Sequence, residues 1–132
     1  MRRGLLLLAA ALLVAPACSA QRRASPTPVR PLTAGDHTIR LRHDGRDRQY
    51  LVRVPSRPAR GPLPVMLALH GGGGSASQFK GENGLDTIAD REGFVAVHPD
   101  GTGPLANRLH TWHAGPGCCG YALDQRVDDV GF

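Results

Sequence analysis

Lysine is almost absent from this chain: of its sixteen basic side chains only Lys80 is not arginine. The arginines are scattered and form no block. Aromatic residues make up 5% of the chain, and Trp112 is the only tryptophan. Nucleic-acid binding asks for a clustered basic stripe interleaved with aromatics, so no nucleic-acid partner is expected. Long apolar runs are also missing. The longest, Gly4 to Val14, is shorter than the roughly 20 residues that span a bilayer. No glycine-rich loop ends in Gly-Lys-Ser or Gly-Lys-Thr, which excludes a phosphate-binding P-loop. His70, His98, Asp100, His110, His113, Cys118 and Cys119 could all ligate a metal, but they complete none of the recognised zinc spacings. No metal and no cofactor are expected. There is no internal repeat.

The first residues have the order of a secretory signal. Arg2 and Arg3 give a positive start, Gly4 to Val14 an apolar core, and Ala15 to Ala20 a small-residue stretch. Residues 1–20 are therefore expected to be a signal peptide. Cleavage after Ala20 would take the formal charge from +5 to +3. Cys18 leaves two readings open. Lipidation would make it the first residue and attach the protein to the outer side of the cell membrane, whereas ordinary cleavage after Ser19 or Ala20 would release the protein. Either route leads to a compartment where disulfides persist.

Residues 21–35, rich in Pro, Ser, Thr and Arg, cannot bury enough apolar surface to order themselves and are expected to form a tether. The domain portion then runs over residues 36–132. Thr38 to Leu41 and Gln49 to Val54 predict a β-hairpin around Asp44 and Gly45. Val65 to Leu69 is an uninterrupted apolar run, the pattern of a strand buried on both faces. A helical turn is predicted at Ser77 to Phe79, a helix within Asn83 to Glu92 stopped by Gly93, and a second buried strand at Phe94 to Val97. Val65 to His98 thus reads as a β-α-β unit of an α/β fold. A long loop follows to Cys119, and Val127 to Phe132 reads as a helix beginning.

The most informative stretch is Leu69-His70-Gly71-Gly72-Gly73-Gly74-Ser75. A strand running into His-Gly-Gly-Gly is the oxyanion loop of many esterases and lipases. Attack on an ester carbonyl places negative charge on its oxygen, and backbone N–H groups must meet that charge from about 3 Å. Glycine allows the close approach. Gly73-Gly74-Ser75-Ala76-Ser77 is a near miss for the G-x-S-x-G nucleophile elbow, with Asp100 and His113 following in hydrolase order. That makes Ser75 a weaker candidate nucleophile in a segment the oxyanion loop already accounts for. Trp112 either lines a substrate cleft or covers the core.

Several stretches then occur in one order: the His70 loop, Gly93-Phe94-Val95, His98-Pro99-Asp100-Gly101-Thr102, Thr111-Trp112-His113-Ala114-Gly115, Cys118-Cys119-Gly120, and Val127-Asp128-Asp129-Val130-Gly131-Phe132. The series resembles the secreted polyhydroxybutyrate depolymerase and feruloyl esterase family of the α/β-hydrolase superfamily, over Asp36 to Phe132. The resemblance implies the N-terminal part of an α/β-hydrolase fold, a hairpin followed by the first parallel β-α-β unit. It implies a serine esterase acting on polyhydroxyalkanoates or on feruloyl and acetyl esters of polysaccharide. His70 and Gly73 would belong to the oxyanion loop, with Gly71 and Gly72 its donors. Asp128 and Asp129 would open the helix before the nucleophile strand. Where the family usually has Asn, this chain has His113. The family's elbow, acid and histidine would follow Phe132, so the 132 residues alone are expected to be unstable and inactive. One of Cys118 and Cys119 is expected to pair with a later cysteine; a disulfide between the two is the alternative.

Overall fold

A computed structural model describes residues 31–56, 61–116 and 120–132. The signal, most of the tether, Cys18, Cys118 and Cys119 lie outside the described residues.

The hairpin forms because Asp44 and Gly45 both adopt positive φ, 46° and 72°. A two-residue loop with that conformation matches the twist of the strands it joins. It links β1, Gly35–His43, to β2, Arg46–Val54, in register from Gly35 opposite Val54 to His43 opposite Arg46. β2 also pairs antiparallel with β4, Val95–Pro99, and β4 pairs parallel with β3, Val65–Leu67. The sheet order is β1-β2-β4-β3. The crossover from β3 to β4 carries two helices, α1 (Ala76–Glu82) and α2 (Leu85–Glu92). The architecture is mixed α/β, a hairpin joined to a parallel β-α-β unit, as the sequence predicts.

Cross-strand register puts Arg53 beside Ala96 and Leu51 beside His98. This face meets the helices. Arg53 donates to Asp90 of α2 (3.2 Å from Nε to Oδ1), and the fully buried His98 approaches Phe79 edge-on and Asn83 at 3.1 Å. Ala76, Ala89 and Ala96 fill the contact, small side chains that let helix and sheet approach closely. The single lysine has a defined place here: Lys80 of α1 bonds Asp36 of β1 at 3.0 Å and pairs with Asp86 of α2.

One expectation is corrected. Val65 to Leu69 is not buried on both faces. The strand ends at Leu67, lies at the edge of the sheet beside β4 alone, and leaves Val65 62% and Leu67 66% exposed. An apolar run encodes a capacity for burial; neighbours have to supply it. The helix expected within Asn83 to Glu92 is α2, Leu85–Glu92, with Asn83 capping α1 and Gly84 turning at φ 67° before it. Val127 to Phe132 forms turns, in which Asp128 accepts from Gly131 N–H three residues on at 2.9 Å, the bond of a helix N-cap, and Asp129 accepts from Arg48 at 2.7 Å. The helix of this region is the short α3, Gly120–Asp124. No helix among the described residues is long and apolar enough to cross a membrane.

Candidate functional site

The glycine loop leaves the end of β3 through His70, which is buried, and enters α1 through Ser75. Ser75 is extended (φ −154°, ψ 163°), and its Oγ accepts from Gln78 N–H at 3.3 Å. That is an N-cap, which satisfies one of the helix's unpaired donors.

The four glycines divide into two pairs. Gly73 and Gly74 are hydrogen-bonded to the segment that follows β4: Gly73 N–H donates to His110 O at 2.8 Å, Leu109 N–H to Gly73 O at 2.9 Å, and His110 N–H to Gly74 O at 3.1 Å. Gly73 has φ 85°, a conformation open to glycine and strained for other residues. Gly71 and Gly72 are exposed, and among the described residues neither N–H has a protein partner. Both line a cleft of about 380 Å³ with Gln78, Phe79 and Glu82.

Beneath the loop His70 makes two bonds. Its Nε2 accepts from Gly101 N–H at 3.0 Å, so the ring proton sits on Nδ1, which donates to Gly71 O at 2.8 Å. Gly101 has to be glycine, since a Cβ there would lie 2.6 Å from Thr111 O and 3.1 Å from His70 Nε2. Trp112 donates from Nε1 to His70 O at 2.9 Å, with its ring 4.9 Å from the imidazole.

Asp100 braces the site from behind. Its Oδ1 accepts from Ala76 N–H at 3.0 Å and faces His110 Nδ1 at 2.8 Å, and its Oδ2 accepts from Gln49 at 2.9 Å. Burial pushes its carboxyl up, but the Ala76 N–H, the Gln49 amide and the His110 ring together hold it below the ordinary carboxylate range. Arg48, 4% exposed, donates to Asp129 and, at 3.2 Å, to Asp100 O, with the Phe132 ring 3.8 Å over its guanidinium.

The order Ser75, Asp100, His113 is not assembled as a triad. Ser75 is 1% exposed, and its Oγ meets Gln78 N–H and Ser77 Oγ but no imidazole. Asp100 faces His110, while His113 donates from Nδ1 to Val127 O at 2.9 Å. Of the metal-ligating types noted in the sequence, the fold gathers His70, Asp100 and His110, with ligand atoms within 4.8 Å of one another. Each of these atoms already has a protein partner: Gly101 N–H and Gly71 O for His70, Leu105 O and Asp100 for His110. The donor set is a hydrogen-bonded brace. His98 stands apart, and burial first of all keeps its ring below the ordinary histidine value. Trp112 also borders an apolar trough with Leu41, Tyr50, Leu69 and Val130. Arg48, the Asp100–His110 pair and the Trp112–His70 bond were not foreseen. The one signal in the sequence is Gly101, a glycine immediately after an acidic residue at a strand end.

A mixed α/β sheet with a glycine loop at the end of a parallel strand is the class this geometry defines. No family model matches the chain, and no curated protein does. Among solved structures it is similar to an S-formylglutathione hydrolase from Agrobacterium tumefaciens, at 20% identity over 60% of this chain and 29% of that one, TM-score 0.47. It is similar to native pOPH at 22% identity, 53% and 21% coverage, TM-score 0.41. A serine-to-cysteine variant of pOPH with DMSO matches at 19% identity, 74% and 34% coverage, TM-score 0.47. The chain spans about a third or less of the length of these structures.

Proposed function

We propose that the protein is a serine ester hydrolase of the α/β-hydrolase kind and that this chain carries its oxyanion loop. The observation that carries the reading is that Gly71 and Gly72 line a cleft and their N–H groups have no partner among the described residues, while the neighbouring glycines are tied down. When a serine attacks an ester carbonyl, the developing oxyanion needs preorganised donors that cost no reorganisation. Each such donor contributes about 10²- to 10³-fold to kcat. His70 holds the Gly71 carbonyl, and Gly101 holds His70. The Gly72 N–H, which shares a peptide plane with that carbonyl, is thus held before substrate arrives. The nucleophile is supplied from outside the described residues, since no described serine has a histidine within hydrogen-bond reach.

The resemblance carried by the ordered motif series supports the substrate class: polyhydroxybutyrate-type polyesters, or feruloyl and acetyl esters carried on polysaccharide. Export through residues 1–20, with lipid attachment at Cys18 as one route, brings the enzyme to polymers that do not enter cells. The test is hydrolysis of p-nitrophenyl butyrate by the protein expressed from its complete reading frame, followed by labelling with a fluorophosphonate and mass mapping. Turnover with the label on a serine outside residues 31–132 is expected. Labelling of Ser75 would overturn the assignment of the nucleophile. No turnover and no label would leave an exported binding protein instead of an enzyme.

A further inference from the structure

A peptide unit is planar and trans, so the direction of its C=O sets the direction of its N–H. The described residues contain no cis bond. The two candidate donors can therefore be followed through the carbonyls that share their planes. The Gly72 N–H shares a plane with Gly71 O, which receives two bonds, from His70 Nδ1 at 2.8 Å and from Gly74 N–H at 3.1 Å. The Gly71 N–H shares a plane with His70 O, which receives one, from Trp112 Nε1 at 2.9 Å.

That single bond matters because of the residue beside it. Gly71 has no Cβ, and a Cβ built there would meet nothing within 4 Å. On the Gly71 side neither a Cβ nor a neighbour within 4 Å of its place restricts the 70–71 peptide. The indole, in contrast, is half-buried, and its ring lies 4.9 Å from the His70 imidazole at a tilt of 35°. A donor held by its own packing can hold a carbonyl that accepts no other hydrogen bond among the described residues. We propose that Trp112 is a positioning residue, which aims the Gly71 N–H into the cleft through the His70 carbonyl. Its role as a positioner rests on the esterase reading; its clamp on the peptide does not.

The test uses the protein from its complete reading frame, with p-nitrophenyl butyrate as probe. Two variants are needed: Trp112→Phe, and replacement of Trp112 by benzothienylalanine, which keeps the shape of the ring system and lacks the N–H. Both are expected to lower kcat by about ten- to a hundredfold while KM stays within about twofold, because the lost alignment matters where negative charge develops. Thermal melts establish that the variants are folded. Unchanged kcat in the benzothienylalanine protein would overturn the proposal and leave Trp112 as packing. In ¹⁵N-labelled protein the Gly71 amide resonance is expected to move in both variants, well beyond that of Gly72. If no protein form hydrolyses esters, the esterase reading fails. The amide shifts then still decide the clamp: a moving Gly71 resonance keeps it, and an unmoved one removes it.

Discussion

The two halves of the glycine loop have the same composition and opposite fates. Gly73 and Gly74 are locked to Leu109 and His110 by three backbone bonds, whereas Gly71 and Gly72 line a cleft and their N–H groups have no partner among the described residues. The difference teaches how four identical residues become a structured donor site. One half is spent on anchoring so that the other can be left unsatisfied without being loose. An exposed donor is inexpensive because water solvates it, and its direction is fixed from behind by His70 and Trp112.

The anchored half depends on its brace, and breaking the brace has the largest expected effect. Asp100→Ala removes the acceptor for Ala76 N–H and Gln49 and leaves His110 facing a void. The expected loss is about 3–5 kcal/mol, because buried donors left without their acceptor cost about 1–3 kcal/mol each, read as a shift of the urea midpoint at constant slope. The same carboxylate makes stability acid-sensitive. Its pKa in the fold is depressed, so the unfolded chain binds the proton first as pH falls. The contribution is complete above the ordinary carboxylate value near 3.9 and is lost as pH falls through the lower folded value. In the Asp100→Ala protein this part of the acid limb should be absent; an unaltered pH profile would show that Asp100 is not the titrating brace.

Gly101→Ala attacks the same support sterically. The added Cβ would meet Thr111 O at 2.6 Å and the His70 ring at 3.1 Å. A backbone oxygen cannot rotate away, so about 2–3 kcal/mol of destabilisation is expected from overpacking. Calorimetry checks this, and a melting temperature equal to wild type would mean that the loop yields freely. Gly73→Ala comes next. No atom lies within 4 Å of its Cβ, so the cost is conformational: φ 85° held by a non-glycine residue, about 1–2 kcal/mol.

The loop was legible in the sequence because its signal is contiguous: a strand, a histidine and four glycines in one run. The hairpin was legible for the same reason, Asp44 and Gly45 standing between two alternating segments. What joins residues far apart was not. Trp112 reaches His70 across 42 positions, Arg48 reaches Asp129 across 81, and no local pattern encodes either contact. Arg48 alternates with Tyr50, Val52 and Val54 on β2, so it is buried by its register, yet an arginine beside Asp47 reads as surface. The exposure of β3 was hidden in the opposite sense, since its apolar composition reports what the strand could bury and says nothing of which neighbours lie beside it.

The smallest stability effect carries the sharpest test of the free half. Gly71→Ala adds a methyl group where nothing lies within 4 Å, at a backbone angle outside the left-handed region. Stability should be unchanged or raised by about 0.4–1 kcal/mol, because the unfolded chain loses freedom that the folded one never used. Gly73→Ala, two residues away, should do the reverse. If Gly71 serves an oxyanion, the same methyl group stands on the approach to the donor, and kcat/KM for p-nitrophenyl butyrate should fall about tenfold or more in a protein at least as stable as wild type. Full activity in Gly71→Ala would separate the free amide from the chemistry and assign the donor role to Gly72 alone, whose plane His70 and Gly74 hold without help from the indole.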